Sequence, residues 1–263
     1  MDMPYTNNQG IRIHYHVEGD GPPLVMQHGF TSSIQNWYLN GYVEPLQQDY
    51  RLILIDARGH GASDKPHDPK DYELSLRVRD VTTVLDDLGI DKAHFLGFSM
   101  GGRIGFGIAI HAPQRFHSLI IGGMSPSGSG GNALPANRVE LFQQGMDAYV
   151  AHQEAQSGPM DPGRKALMLA NDPQALIAAT NAPRGTGNMD DVLPTMTMPC
   201  LLYVGEADGF YEGAKECMQH LPNATFVSFP GLDHGQTSRA GDLVVPHVAK
   251  FLKGAAVKAG AAG

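Results

Sequence analysis

Short apolar runs recur along the chain at Leu24–Met26, Leu52–Ile55, Ala93–Leu96, Leu119–Ile121, Leu201–Val204 and Thr225–Phe229. Runs of this length, bounded by turn residues, predict parallel strands covered on both faces. Ile11–Val17 instead alternates apolar and polar positions, as a strand with one wet face does, and Gly19-Asp-Gly-Pro-Pro23 then forces a turn. Between the runs the period changes. Leu74, Val78, Val81, Leu85 and Leu88 fall at spacings of 4, 3, 4 and 3, which places one apolar stripe on a helix that Gly89 is suited to end. Strands alternating with helices predict an α/β fold with a mostly parallel sheet.

The alternation breaks after Met124. Ser125-Pro-Ser-Gly-Ser-Gly-Gly131 has the composition of a flexible linker, Pro135 to Asn181 reads as helical, and Pro183 to Pro199 is a second irregular connection. The expected organisation is therefore a core from residues 1–125 and 196–253, with a helical insertion at 126–195. The tail 254–263 holds only Gly, Ala, Val and Lys and is expected to fray.

Composition narrows the function. With 263 residues, 42% of them hydrophobic, the chain can bury a sizeable core. Its formal charge of −8 argues against a nucleic-acid or anionic-membrane partner, since both require clustered Lys and Arg. Two cysteines, Cys200 and Cys217, lack a CxxC neighbour, which disfavours a zinc site or a redox dithiol. Met1 to Gly10 shows no signal-peptide pattern, and no window approaches the roughly 20 apolar residues that span a bilayer. A cytoplasmic protein, monomeric or homodimeric, is the expectation.

Gly97-Phe-Ser-Met-Gly101 carries the candidate chemistry. It matches G-x-S-x-G, follows the predicted strand Ala93–Leu96 and precedes the helical run Arg103–Ile110. In that setting a tight turn lifts the serine above the sheet, and the helix N-terminus favours developing negative charge beside it. A serine hydroxyl is a weak nucleophile and needs a base, itself oriented by a carboxylate. Where this turn is used, the acid and then the histidine follow downstream. Asp208 lies in Gly205-Glu-Ala-Asp208 after the strand Leu201–Val204, and His234 in Leu232-Asp-His-Gly235 after Thr225–Phe229. Both loops leave the carboxyl ends of strands, where such sheets assemble their sites. Glu206 is a weaker candidate because it sits nearer its strand, and Asp233 adjoins His234 too closely to reach its Nδ1.

Acyl transfer also needs donors for an oxyanion. The amide of Met100 is one candidate, and the amide of Phe30, in the loop Gln27-His-Gly-Phe-Thr31, is the other. His28 and Trp37 are candidate substrate contacts, although Trp37 equally suits a helix anchor. Of the twelve histidines, His14 and His16 share a strand face without a third ligand nearby and read as solvated edge-strand residues. His94, His111, His117, His220 and His247 read as surface or packing positions.

His28-Gly-Phe30 with Trp37, Asp56-Ala-Arg-Gly-His-Gly-Ala-Ser63, Gly97–Gly102, Gly205–Asp208 and Asp233-His-Gly235, in that order, resemble the α/β-hydrolase superfamily, in its serine-nucleophile esterase and lactonase-like branch. The resemblance implies an eight-stranded, mostly parallel sheet with a small helical cap, no metal or organic cofactor, and a small ester-like substrate cleaved through an acyl-enzyme on Ser99. It also implies that Arg58 and His60 brace loops. Haloalkane dehalogenases look similar but carry aspartate at the nucleophile. Lactonases, carbon–carbon bond hydrolases, cofactor-free perhydrolases and the menaquinone-pathway synthase share the pattern. Arg103 resembles the arginine of that synthase's Ser-x-Gly-Gly-Arg, which serves an acidic substrate. Arg138, Arg164 and Arg184 of the insertion are further candidates to meet a carboxylate.

Overall fold

The computed structural model describes residues 4–126, 135–183 and 189–260. Eight strands form one sheet: β1 (Tyr5–Asn8), β2 (Ile11–Glu18), β3 (Pro23–Gln27), β4 (Arg51–Ile55), β5 (Ala93–Phe98), β6 (Phe116–Gly122), β7 (Cys200–Gly205) and β8 (Ala224–Phe229). Their spatial order is β1-β2-β4-β3-β5-β6-β7-β8. Pairings at β1–β2 and β2–β4 are antiparallel, and those from β4 through β8 are parallel.

Eleven α-helices accompany the sheet among the described residues: α1 (Ile34–Leu39), α2 (Val43–Leu46), α3 (Leu74–Asp87), α4 (Met100–His111), α5 (Arg138–Gln143), α6 (Met146–Ser157), α7 (Pro162–Leu169), α8 (Pro173–Thr180), α9 (Tyr211–Cys217), α10 (His234–Arg239) and α11 (Gly241–Gly260). The apolar strands are buried on both faces, as their composition requires. One face packs Val25, Ile53, Phe95 and Leu202 against α3, α4 and α9, and the other packs Leu24, Leu52, Leu96 and Leu201 against α1, α2 and α11. In α3 the predicted stripe turns inward through Val78, Val81 and Leu85, and Gly89 follows the helix at φ +64°. Each such side chain contributes about 1.5–3 kcal/mol by leaving water.

Helices α5 to α8 lie between β6 and β7 in sequence and form their own small cluster around Leu141, Phe142, Met146, Tyr149 and Leu176. Most of the linker expected at Ser125–Gly131 and Arg184 lie outside the described residues.

Two expectations are corrected. His14 is buried and hydrogen-bonds through Nδ1 to Asp56 Oδ2 at 2.7 Å, because β1 takes the sheet edge and makes β2 an inner strand. His16 does face solvent, paired with Glu18. The terminal helix continues past Gly254 to Gly260, with Ala255 buried, where fraying was expected. Alanine's helix propensity outweighs the glycines there. No helix among the described residues is long and apolar enough to cross a membrane.

Candidate active site

Ser99 sits between β5 and α4 with φ 55° and ψ −112°, a left-handed conformation that costs a non-glycine residue about 1–3 kcal/mol. The surroundings hold it there. Its N–H donates to Gly122 O at 2.8 Å and its carbonyl accepts from Arg103 N–H at 2.9 Å. The flanking glycines permit the turn: a Cβ at Gly97 would strike the Gly101 carbonyl, and one at Gly101 would strike the Gln27 carbonyl.

His234 is brought to Ser99 from the end of β8. Its Nε2 lies 2.9 Å from Ser99 Oγ and its Nδ1 lies 2.7 Å from Asp208 Oδ2. Asp208, whose side chain is 0% exposed, also accepts from Phe210 N–H at 3.0 Å through Oδ1. The imidazole lies between the Phe98 and Phe210 rings, with centroids 5.0 and 5.5 Å away. Asp233 is occupied in capping α10, where it accepts from Gln236 N–H, and Glu206 accepts from Ser228 Oγ on the open side of β8. Neither acid competes with Asp208 for the histidine.

The loop after β3 passes beside the serine, with Gly29 against Ser99 Cβ. The Phe30 N–H meets no protein acceptor among the described residues. The Met100 N–H opens α4 and so has no carbonyl within the helix to bond. The two amides expected to serve an oxyanion thus lie in the loop beside Ser99 and at the start of the helix that follows it, and neither meets a backbone acceptor among the described residues.

His28 is placed differently from the expectation. It is 2% exposed, accepts from Ala57 N–H on Nε2 at 3.1 Å, and donates from Nδ1 to Gly29 O at 2.8 Å. This bonding needs the neutral ring, and burial lowers its pKa accordingly. The ring cannot reach a substrate from there; it fixes the Gly29–Phe30 peptide from behind. Trp37, 4% exposed, packs edge-on against Tyr42 in the core beneath the sheet, so it anchors α1 and does not line the site.

Arg58 and His60 both brace loops. Arg58 forms two 2.6 Å hydrogen bonds to Asp80 on α3 and another to the Asp71 carbonyl. His60 donates from Nδ1 to Arg58 O, packs against the rings of His28 and Phe30, and is pushed down to about 3 by burial. Asp56 accepts from Ile34 and Ala62 N–H groups and from His14, tying β4 to α1 and β2. Burial raises its pKa, but those hydrogen bonds and the nearby His28 outweigh it and the net shift is downward.

Arg103 lies one helical turn behind Ser99, half-buried, close enough to Arg77 for its charge to help lower that guanidinium's pKa after the larger effect of burial. Arg138 and Arg164 are engaged with the Pro135 and Leu39 carbonyls. The residues that sequence reasoning missed are Thr31, Phe142 and Asn171. Phe142 lies 6.0 Å ring to ring from Phe30, and Asn171 donates to Thr31 O at 3.1 Å. Asn171 carries only the ordinary signal of a helix end, and its partner is 140 residues away.

The sequence profile of the α/β-hydrolase fold matches residues 22–202. A Bacillus subtilis protein with the provisional name 2-succinyl-6-hydroxy-2,4-cyclohexadiene-1-carboxylate synthase is 32% identical, over 87% of this chain and 90% of its own. A pimeloyl-[acyl-carrier protein] methyl ester esterase of Nitrosomonas europaea is 29% identical, over 84% and 92%. Among solved structures, an N-acyl homoserine lactone degrading enzyme superposes with a TM-score of 0.78 at 28% identity, covering 94% of this chain and 100% of that one.

Proposed function

Because this chain belongs to the α/β-hydrolase family, we propose that it is a serine hydrolase cleaving small to medium carboxylic esters through an acyl-enzyme on Ser99. The observation that carries this reading is the continuous hydrogen-bonded path from Ser99 Oγ through His234 to Asp208. His234 Nε2 takes the hydroxyl proton as Oγ attacks the carbonyl, while Nδ1–H stays bonded to the buried Asp208 carboxylate and steadies the imidazolium. The Phe30 and Met100 amides receive the oxyanion, and each such donor typically supplies about 10²–10³ in rate. His234 then protonates the leaving alcohol, and a water activated by the same nitrogen releases the acid. In this reading helices α5–α8 roof the acyl pocket, with Phe142 meeting Phe30 at its wall.

The experiment compares wild type with Ser99→Ala on p-nitrophenyl acetate, butyrate and octanoate. A loss of several powers of ten in kcat is expected, and the chain-length ranking sizes the pocket. Turnover that survives in Ser99→Ala refutes the reading.

A second reading is favoured by Arg103, one turn from the nucleophile, together with the carboxylated compound in the name of the Bacillus relative. It takes a carboxylated metabolite as substrate, for a lyase-like or carbon–carbon cleavage. Arg103→Met damages that activity severely and leaves simple ester hydrolysis nearly intact.

A further inference from the structure

Three consecutive carbonyls in the loop beside Ser99 are each caught by a side-chain donor. His28 Nδ1–H donates to Gly29 O at 2.8 Å, Thr31 Oγ1–H to Phe30 O at 2.7 Å, and Asn171 Nδ2–H to Thr31 O at 3.1 Å. The last of these reaches across from the α7–α8 junction. It meets a residue under strain: Thr31 is β-branched, yet has φ +59°, a region such residues rarely adopt. Two other helices between β6 and β7 meet the loop as well. Tyr149 of α6 brings its hydroxyl to the Thr31 side chain, and Phe142 of α5 packs on the Phe30 ring.

A trans peptide carries its C=O and N–H on opposite edges. Fixing the Gly29 carbonyl therefore fixes where the Phe30 N–H points, and the other two carbonyls fix the peptides that follow it. His28 sets the peptide that bears that N–H, and the dihedrals of Thr31 set how the loop leaves it. Without Asn171, the strained Thr31 relaxes towards negative φ and turns the neighbouring peptides with it.

We propose that Asn171 is a positioning residue for the oxyanion donor: it holds Thr31 in its left-handed conformation, so that docking of α5–α8 and correct aim of the Phe30 N–H are one event. This rests on the reading of Ser99 as an acyl-transfer nucleophile. Asn171 also bonds the Leu167 and Met168 carbonyls at 3.2 and 3.0 Å, so a residue that merely caps α7 is the alternative to be told apart.

Glycine supplies the distinction, because it adopts positive φ without strain. The test measures kcat and KM for p-nitrophenyl butyrate, and the rate of Ser99 labelling by a fluorophosphonate. The variants are Asn171→Ala, Asn171→Asp, Thr31→Gly and the double variant Thr31→Gly/Asn171→Ala. Asn171→Asp keeps the shape of the side chain and loses its donor, which covers the case of an alanine variant that folds poorly. Asn171→Ala and Asn171→Asp are expected to lower kcat about tenfold, less than removal of a whole oxyanion donor, with KM within about twofold and labelling slowed in parallel. In the Thr31→Gly background the Asn171→Ala loss should shrink below about threefold, since coupled sites are non-additive.

An unchanged kcat, a loss confined to KM, or an equal loss in both backgrounds overturns the proposal and leaves Asn171 as a helix cap. Ser99→Ala run alongside separates the two levels. Turnover surviving in that variant defeats the acyl-transfer reading and the proposal with it. Ser99-dependent turnover indifferent to Asn171 defeats the proposal alone.

Discussion

The ion pair between Arg58 and Asp80 joins the turn after β4 to α3, and both side chains are almost wholly buried, at 2% and 4% exposure. Removing one partner strands the other charge in the interior. For such pairs the loss is about 3–5 kcal/mol. Unfolding entropy near 2.1 cal/mol/K per residue over 263 residues gives roughly 0.55 kcal/mol/K, so a 4 kcal/mol loss lowers Tm by about 7 °C. Arg58→Met and Asp80→Leu should each show this drop in thermal melts and in urea midpoints with unchanged m values. The double variant should behave differently. Burial raises the Asp80 pKa by more than Arg58 and Asn8 lower it, so the carboxylate is held in its charged form at a cost. Replacing both charges by apolar groups removes that cost, and the double variant should regain at least about half of the summed single losses. Some deficit remains because Asn8 loses an acceptor at Asp80 Oδ1 and the Asp71 carbonyl loses a donor. Strictly additive losses would show that the two charges do not depend on each other, and the argument would fail.

Two further outcomes follow from the site. Asp208→Asn should lower kcat by about 10⁴, the size expected when the histidine loses its orienting carboxylate, while Glu206→Gln stays within about threefold of wild type because Glu206 bonds Ser228; steady-state kinetics on one ester decide both. Acid stability should reflect His60. Its pKa falls from 6.5 to about 3 on folding, so the unfolded chain binds the proton first and stability drains as pH falls below about 6.5. The slope from this residue approaches 1.4 kcal/mol per pH unit, and denaturant titrations at pH 7, 6 and 5 should show it flattened in His60→Gln. An unaltered slope in that variant would remove His60 from the account.

The features most legible in the sequence were those whose physics is local. A serine between glycines at a strand–helix junction, and an acid and a histidine just past later strands, need no knowledge of distant partners. What stayed hidden depended on contacts made far along the chain. His14 reads as a wet strand residue until Asp56, 42 positions away, is placed beside it. Trp37 sits at the spacing of either a pocket wall or an anchor, and only the packing of Tyr42 and α11 decides between them. His28 adjoins the loop that carries a donor, and its ring is turned away by a bond from the Ala57 N–H, 29 positions on. The tail is a separate case: its glycines point to fraying and its alanines to helix, and α11 runs to Gly260.

The turn at Ser99 also bears on how this lineage can change its chemistry. Position 99 already accepts a Cβ at positive φ beside His234, so on the acyl-transfer reading proposed above a different nucleophile there would inherit the same partners. Positions 97 and 101 have no such latitude, since any side chain at either one collides with backbone. On that reading the scaffold offers one position where a substitution changes the reaction attempted, set between two where almost any side chain collides with backbone. On the same reading, redesign for a new activity would work at residue 99 and leave Gly97 and Gly101 untouched.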